Sequence, residues 1–201
     1  YRNVLPKGRL LSWDEVGHFL PQQNLLMHSI IYRRDILNEC RLELPAHTFY
    51  VDNLFAYQPL SCVDSLIYLD VDLYHYFIGR SDQSVNEQIM ISRIDQQLRV
   101  TRMMIERTDI SFRDVPRRYA YQIKYLTMVL VVSSILLIRA ATPEALEEKE
   151  RLWRLFKQEK PWLYRDVSHT MLGWLIQRDS AAGRRLLSLL STISHRLFSF
   201  N

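Results

Sequence analysis

Cysteine is nearly absent from this chain. Only two of its 201 residues are cysteines, Cys40 and Cys62, and they form no CxxC pair. The histidines are not clustered at metal-ligand spacing either, so a disulfide framework and a structural zinc site are not expected. Such a composition suits a reducing compartment. We expect a cytoplasmic protein, placed at the inner face of the cell membrane if it associates with lipid.

A concentrated charge of one sign is also lacking. The 26 basic and 22 acidic residues leave a formal net charge of +4, and the basic excess is diffuse through the first two thirds. A dedicated nucleic-acid-binding protein would gather Lys and Arg on one stripe, so that class is not expected. No acid follows Asp179, and residues 183–200 combine cations with Leu and Phe. This end resembles an interfacial membrane helix, although a C-terminal helix packed on the bundle is the favoured interpretation.

A secretory signal is missing as well, because no charged segment followed by an apolar one opens the chain. The first residue is Tyr1, and we expect the sequence to be part of a longer protein. The most apolar run, residues 125–138, has 14 residues, fewer than the roughly 20 of a spanning helix. Lys124 and Arg139 close the run. A core helix is the favoured interpretation, and a membrane-embedded segment is the alternative.

The chain does contain one stretch rich in chemistry, residues 44–85. Its acid, Asp52, stands in an aromatic turn before a short helix. Partial burial there would raise the pKa of Asp52 and suit it to general-base work, whereas spacing alone favours an N-cap. Tyr50 and Asn53 flank the acid and are candidate substrate contacts. His28, in an upstream apolar run, is either a core histidine or a further substrate contact.

Two polar motifs follow Asp52. Asp70 and Asp72 form a DxD pattern of the kind that divalent metals and nucleotide diphosphates favour, but strand-edge solvation or turn formation explains it as well. The loop GRSDQS, residues 79–84, offers Arg80 to a phosphate and lies before a helix N-terminus. It could cradle a leaving diphosphate, or it could form a turn and the N-cap of the next helix.

Local patterns predict an α+β protein that is predominantly α-helical. Strands are predicted at residues 25–32, 66–69 and 71–77. Helices are predicted at residues 12–20, 33–40, 52–57, 84–107, 116–138, 143–159 and 161–177, with a last one from Gly183. We expect a first domain of residues 1–83 and a C-terminal helical domain of residues 84–201.

The order of these features resembles the second half of bacterial family 2 glycosyltransferases, which have the GT-A fold. The matching segments are HSIIYRRDIL, LPAHTFYVDNLF, SLIYLD, LYHYFIGR and SDQSV, at residues 28–37, 44–55, 65–70, 73–80 and 81–85. The ordered set covers about residues 25–90 and is more specific than any one segment. Val51 departs from the family pattern, in which Glu usually precedes the aspartate.

The resemblance implies that residues 1–83 are the acceptor side of a GT-A-like catalytic domain, with a remnant of its mixed sheet. Asp52 would deprotonate the acceptor hydroxyl, and the loop closing over the donor would contain Arg80, Gln83 and Ser84. The DxD motif matches a different position from the family's metal motif. No Gly-rich βα unit or acidic metal motif precedes Asp52. A nucleotide-binding half with Mg²⁺ or Mn²⁺ is therefore expected in the full-length enzyme. These residues alone are expected to bind no metal and to have no transferase activity.

The implied reaction is an inverting transfer of a sugar from a nucleotide-sugar donor to a polysaccharide or cell-surface glycan. Five aromatic residues could wall the sugar site or belong to the core, namely Phe49, Tyr50, Tyr57, Tyr74 and Tyr76. One alternative is that residues 84–201 are a helical module that docks on a membrane or a partner protein. Another is a small metal-dependent hydrolase that uses Asp70, Asp72 and nearby histidines.

Overall fold

The computed structural model describes residues 1–72, 74, 75, 77 and 87–177. That part of the chain is predominantly helical and carries a two-stranded antiparallel sheet, so the predicted class, α+β and mainly helical, is confirmed. The chain forms two compact units. The first unit consists of residues 1–76 and 107–125, and the second of residues 77–106 and 126–201. The predicted domain boundary after residue 83 lies outside the described residues.

The first unit is mostly irregular chain joined by short elements. Strand β1 (Leu10–Ser12) pairs with β2 (Ser65–Ile67), and Leu11 lies opposite Leu66. Its α-helices are α1 (Arg34–Glu39) and α2 (Asp52–Tyr57), as predicted to within a residue. Single turns of 3-10 helix lie at Trp13–Glu15, Met27–Ser29, Gln58–Cys62 and Ile110–Asp114.

The strand predicted over residues 25–32 is wrong. The hydroxyl of Ser29 accepts from the Leu26 N–H at 3.1 Å and donates to the Leu26 carbonyl at 2.8 Å, which closes a turn instead. Local side-chain bonds of this kind compete with strand pairing. The Leu25 N–H also finds a non-strand acceptor, the hydroxyl of Tyr121 at 2.8 Å.

Two further predictions for the first unit need correction. The capping box of residues 12–15 forms, with the Ser12 N–H donating to Glu15 at 2.9 Å, but the turn ends at Glu15 rather than Leu20. The strand predicted at residues 71–77 is also wrong for its described residues, none of which lies in a strand.

The second unit is helical. Its elements are α3 (Glu87–Ser92), α4 (Ile94–Arg107), α5 (Pro116–Ala140), α6 (Pro143–Glu159), α7 (Pro161–Ser168) and α8 (Met171–Ile176). Arg107 and the first part of α5, residues 116–125, belong to the first unit. The core of the second unit contains fully buried side chains, among them Leu126, Leu130, Leu137, Leu152, Phe156 and Leu163. The indole N–H of Trp153 donates to the buried hydroxyl of Ser134 at 3.0 Å.

Helix α6 begins as predicted, because Thr142 Oγ1 accepts from the Ala145 N–H at 3.2 Å. The helix predicted over residues 84–107 is instead broken at Arg93, and its predicted start at Ser84 lies outside the described residues. The helix predicted over residues 161–177 is divided by Thr170, whose hydroxyl caps α8 by accepting from Gly173 at 3.0 Å. The predicted helix from Gly183 also lies outside the described residues.

Helix α5 contains the apolar run singled out in the sequence. Among the described residues, it is the one helix whose length and composition would allow it to cross a membrane. The most apolar part of α5 is 61% buried inside the protein. Core helices of soluble proteins meet the same criterion, so the hydropathy of α5 does not choose between the two interpretations.

Candidate active site

The turn before helix α2 has an unusual backbone. Tyr50 has φ of +67° and His47 has φ of +50°. This left-handed region is costly for residues that carry a Cβ, by roughly 1–3 kcal/mol. Such conformations persist where surrounding contacts impose them, and they are concentrated at functional sites. The turn therefore needs other groups to hold it.

Asn53 holds this turn. Its backbone N–H and its side-chain Nδ2 donate to the Tyr50 carbonyl, at 3.1 and 3.0 Å. Its Oδ1 accepts from the hydroxyl of Tyr125, on helix α5, at 3.1 Å. The amide is thus engaged on both sides within the first unit, which favours a positioning role. A substrate contact by Asn53 stays a prediction.

Asp52 is the first residue of α2, and Val51 occupies the N-cap position, so the predicted N-cap role is wrong by one residue. An acid in the first turn still suits the helix dipole. The side chain is half-buried. This burial raises the pKa of Asp52, while the backbone amides of Asp52 and Asn53 and the charge of His28 act in the opposite direction. The predicted partial burial with a raised pKa is confirmed.

His28 lies at the surface beside this carboxylate, so the core-histidine interpretation is wrong. Its ring stacks on that of Tyr74, with centroids 5.5 Å apart and an interplanar angle of 26°. Tyr74 is itself 59% exposed. His28, whose charge acts on Asp52, therefore forms an accessible pair of rings with Tyr74.

The predicted aromatic wall is present in part. Phe49 is 42% exposed and lies 6.3 Å from the ring of Tyr50, centroid to centroid. Tyr57 belongs to the core instead, since it is 1% exposed and its hydroxyl bonds to Thr108 at 2.7 Å. Tyr76 lies outside the described residues. Phe49 and Tyr74 are thus the accessible members of the set.

The remaining sequence candidates are not brought into this site. Arg80, Gln83 and Ser84 lie outside the described residues, and their roles stay predictions. Asp70 is engaged elsewhere, with the Arg2 guanidinium at 2.8 Å and the Tyr68 hydroxyl at 3.0 Å. Arg2 holds the pKa of Asp70 below its ordinary value. These contacts agree with the structural interpretation of the DxD motif.

Sequence reasoning missed Tyr125. Its hydroxyl bonds to Asn53, and its pKa is raised by burial, by Tyr121 and by the charge of Asp52. The available signal was the spacing of Tyr121 and Tyr125, one helical turn apart at the edge of an aliphatic run. Two hydroxyls on one helix face need partners when they are buried.

The arrangement suits proton transfer beside an aromatic surface. A carboxylate with a raised pKa accepts a proton from a hydroxyl more readily than an ordinary one. Aromatic faces such as Tyr74 bind apolar faces of ring-shaped ligands. Within the described residues no three His, Cys, Asp or Glu side chains converge on a point that could hold a metal ion. Comparisons of the chain with protein-family models, curated proteins and solved structures found no match.

Proposed function

We propose that the first unit is the acceptor side of an inverting glycosyltransferase in which Asp52 is the general base. The proposal is carried by one observation, the half-buried Asp52 carboxylate with a raised pKa beside the exposed pair His28 and Tyr74. A sugar acceptor offers hydroxyl groups to the carboxylate and an apolar ring face to Tyr74. The family resemblance of residues 25–90 points to the same chemistry.

In the proposed reaction, Asp52 takes the proton of an acceptor hydroxyl while that oxygen forms a bond to the donor sugar carbon. The bond from this carbon to the nucleotide diphosphate breaks, and the diphosphate leaves with the electron pair. Asn53 and Tyr125 position the base. Arg80, Gln83 and Ser84 are predicted to contact the leaving diphosphate. The described residues do not fit a metal site, so the expected Mg²⁺ or Mn²⁺ would be held elsewhere and no step is assigned to it.

The catalytic role is tested by Asp52→Asn in the full-length protein, assayed with a panel of nucleotide-sugars. We expect turnover to fall by about 10²- to 10⁴-fold, because the base is lost while the shape is kept. Asp72→Asn is the matched control, since Asp72 is exposed and its removal changes the net charge equally. Near-normal turnover of Asp52→Asn would refute the assignment.

A second test needs no substrate. Burial raises the pKa of Asp52 above its ordinary 3.8, so the folded state binds more protons than the unfolded state between these two values, and stability falls as the pH rises through that window. At neutral pH the charged carboxylate is therefore a cost, and Asp52→Asn should raise the free energy of unfolding. Loss of stability at pH 7 would indicate a structural carboxylate and count against a catalytic one.

The alternative function, a helical module that docks on a membrane or partner, is favoured by helix α8. Its Met171 and Trp174 are 78% and 51% exposed, and Leu172 is 38% exposed. Vesicle co-sedimentation should compare the full chain with a chain ending near residue 180 and with Met171→Ser. Equal binding by all three would remove the case for a membrane role of this end.

A further inference from the structure

Residues 19–26 of the first unit, here called the strap, contact helix α5 without entering the core. None of them is buried. Segments that bury little apolar surface open at a smaller cost than a core does. The Leu25 N–H donates to the Tyr121 hydroxyl at 2.8 Å, and the Asn24 carbonyl accepts from the Tyr1 hydroxyl at 2.5 Å. Contacts of this polar kind therefore decide whether the strap stays closed.

The Lys124 side chain, on helix α5, makes the central contact with the strap. Its Nζ donates to the Gln23 carbonyl at 2.5 Å and to Asn24 Oδ1 at 2.8 Å. The same atom lies 6.0 Å from the ring centroid of Phe19 and 5.5 Å from that of Tyr121. One amine thus joins three residues of the strap to the helix.

This amine is a poor place for a charge. Lys124 is half-buried, and burial lowers its pKa from 10.5 to about 8. Its two acceptors are neutral oxygens, and in the described part of the chain no carboxylate forms an ion pair with it. A buried ammonium group without a counter-charge is unfavourable compared with one in water. The closed strap therefore favours the neutral amine.

The other ionisable groups around Lys124 do not compete with it between pH 7 and 9. The phenols of Tyr1 and Tyr121 face it, and burial raises the pKa of both above the ordinary 10. Arg117 precedes Lys124 by seven residues, about 10 Å along the helix axis, and bonds to His18. Burial, rather than a neighbouring charge, lowers the pKa of Lys124.

We propose that the strap is a pH-sensitive latch, which closes over the neutral amine of Lys124 and opens more readily when that amine is protonated. A neutral amine keeps two N–H groups, one for each of the two oxygens, so it can make both hydrogen bonds. Opening of the strap exposes the amine to water, which solvates the ammonium form. Protonation therefore shifts the strap toward its open state.

The direction and size of the effect follow from proton linkage. In the open state Lys124 has its ordinary pKa of 10.5, and in the closed state a pKa of about 8. Between these values the open state binds more protons, so its population falls as the pH rises. Below this window the amine is charged in both states and the equilibrium is constant. From pH 7 to pH 9 the opening equilibrium constant should fall about ten-fold.

The strap leads directly into the candidate site. It is followed by the turn Met27–Ser29, which carries His28. The charge of His28 acts on Asp52, and its ring stacks on Tyr74. Opening of the strap would free this turn to move away from Asp52. An effect of the latch on turnover rests on the proposed function, whereas the opening equilibrium itself does not.

The test is hydrogen exchange of the full chain at pH 7, 8 and 9, with millisecond mixing and mass spectrometry. Rates are corrected for the intrinsic pH dependence of amide exchange. We expect protection of the strap amides to rise about ten-fold from pH 7 to pH 9 in the wild type. Lys124→Gln keeps two side-chain N–H donors without a charge, so its protection should not depend on pH. Lys124→Arg keeps the charge, so its protection should be lower and equally constant.

Lys7→Met is the matched control, because it removes the charge of a first-unit lysine whose side chain is 71% exposed. It should keep the wild-type rise. Constant protection in the wild type, or a rise that persists in Lys124→Gln, would overturn the proposal. If these variants fail to fold, ¹³C NMR titration of Lys124 in the wild type decides, and an ordinary pKa would overturn it. The expected exchange without transferase activity would refute the proposed function and leave the latch standing.

Discussion

The two units of this protein are stabilised in different ways. The second unit packs the apolar faces of its helices through side chains such as Phe156 and Leu163, which are 1% and 0% exposed. The first unit holds irregular chain through single polar contacts between residues far apart in sequence. Examples are Trp13 Nε1 to the Val63 carbonyl at 2.6 Å and Tyr121 to the Leu25 N–H at 2.8 Å. Both units bury apolar side chains, Leu11 and Leu54 among them in the first unit. The first unit adds individual hydrogen bonds that hold its irregular chain.

This difference explains where function is expected. Helix packing tolerates replacement of one apolar residue by another of similar volume, so it places few demands on particular side chains. An irregular segment must satisfy its backbone groups one by one. The same requirement lets it hold Tyr50 at positive φ, directly before the helix turn that begins at the half-buried Asp52. Four changes would sharpen or break this comparison.

The largest effect is expected from Phe156→Ala in the second unit. The ring is 1% exposed and contacts Trp153 and Tyr164, with centroids 6.0 and 5.7 Å away. Truncation should lower the free energy of unfolding by about 3–5 kcal/mol, measured by urea denaturation. Glu150→Ala, an exposed change on the same helix, is the control. A loss below about 1 kcal/mol would contradict the view that area burial dominates here.

Gly173→Ala should be the next most damaging change. A Cβ at this position would lie 2.1 Å from the backbone carbonyl of Val167, which cannot move without disturbing α7. Overpacking of this kind costs about 1–3 kcal/mol. Gly8→Ala is an informative comparison, because Gly8 has open space around it but φ of +74°, so its cost is only that of the backbone, about 1 kcal/mol. Equal losses of stability in Gly173→Ala and Gly8→Ala would show that α7 and α8 can move apart to make room for the added Cβ.

In the first unit, Tyr121→Phe should cost about 1–2 kcal/mol, because it leaves the Leu25 N–H without its acceptor. Hydrogen exchange followed by mass spectrometry should show faster exchange in residues 20–30. Tyr119→Phe serves as the control on the same helix, since it keeps the ring that faces Arg113. Unchanged exchange after Tyr121→Phe would mean that single polar contacts do not hold this segment.

The last effect is a dependence of stability on pH. Burial lowers the pKa of Lys124 from 10.5 to about 8. Between these values the unfolded chain binds one more proton than the folded chain, so the free energy of unfolding should rise with pH above about 8. Lys124→Met should lack this rise, as denaturation between pH 7 and 9.5 would reveal. If the free energy of unfolding changed with pH in the same way in the wild type and in Lys124→Met, the lowered pKa of Lys124 would be contradicted.

The sequence predicted only the part of the candidate site whose residues lie close together in the chain. Asp52, Tyr50 and Asn53 are adjacent in the chain, and their turn and short helix follow from local signals. The pairing of His28 with Tyr74 joins residues far apart in the chain, and periodicity cannot predict such contacts. Tyr125 was missed because it lies at the start of an apolar run, which predicts a core helix and gives no sign that the tyrosine hydroxyl has a polar partner.

The sequence by itself determined the helical character of residues 87–177, the cap at Thr142 and the turn that presents Asp52, because these depend on neighbours within four residues. The tertiary structure alone decided that residues 25–32 are not a strand, that His28 is exposed beside Asp52, and that Arg118 and Gln122 are buried. Those outcomes depend on which distant groups satisfy each backbone and side-chain hydrogen bond, and local pattern carries no information about them.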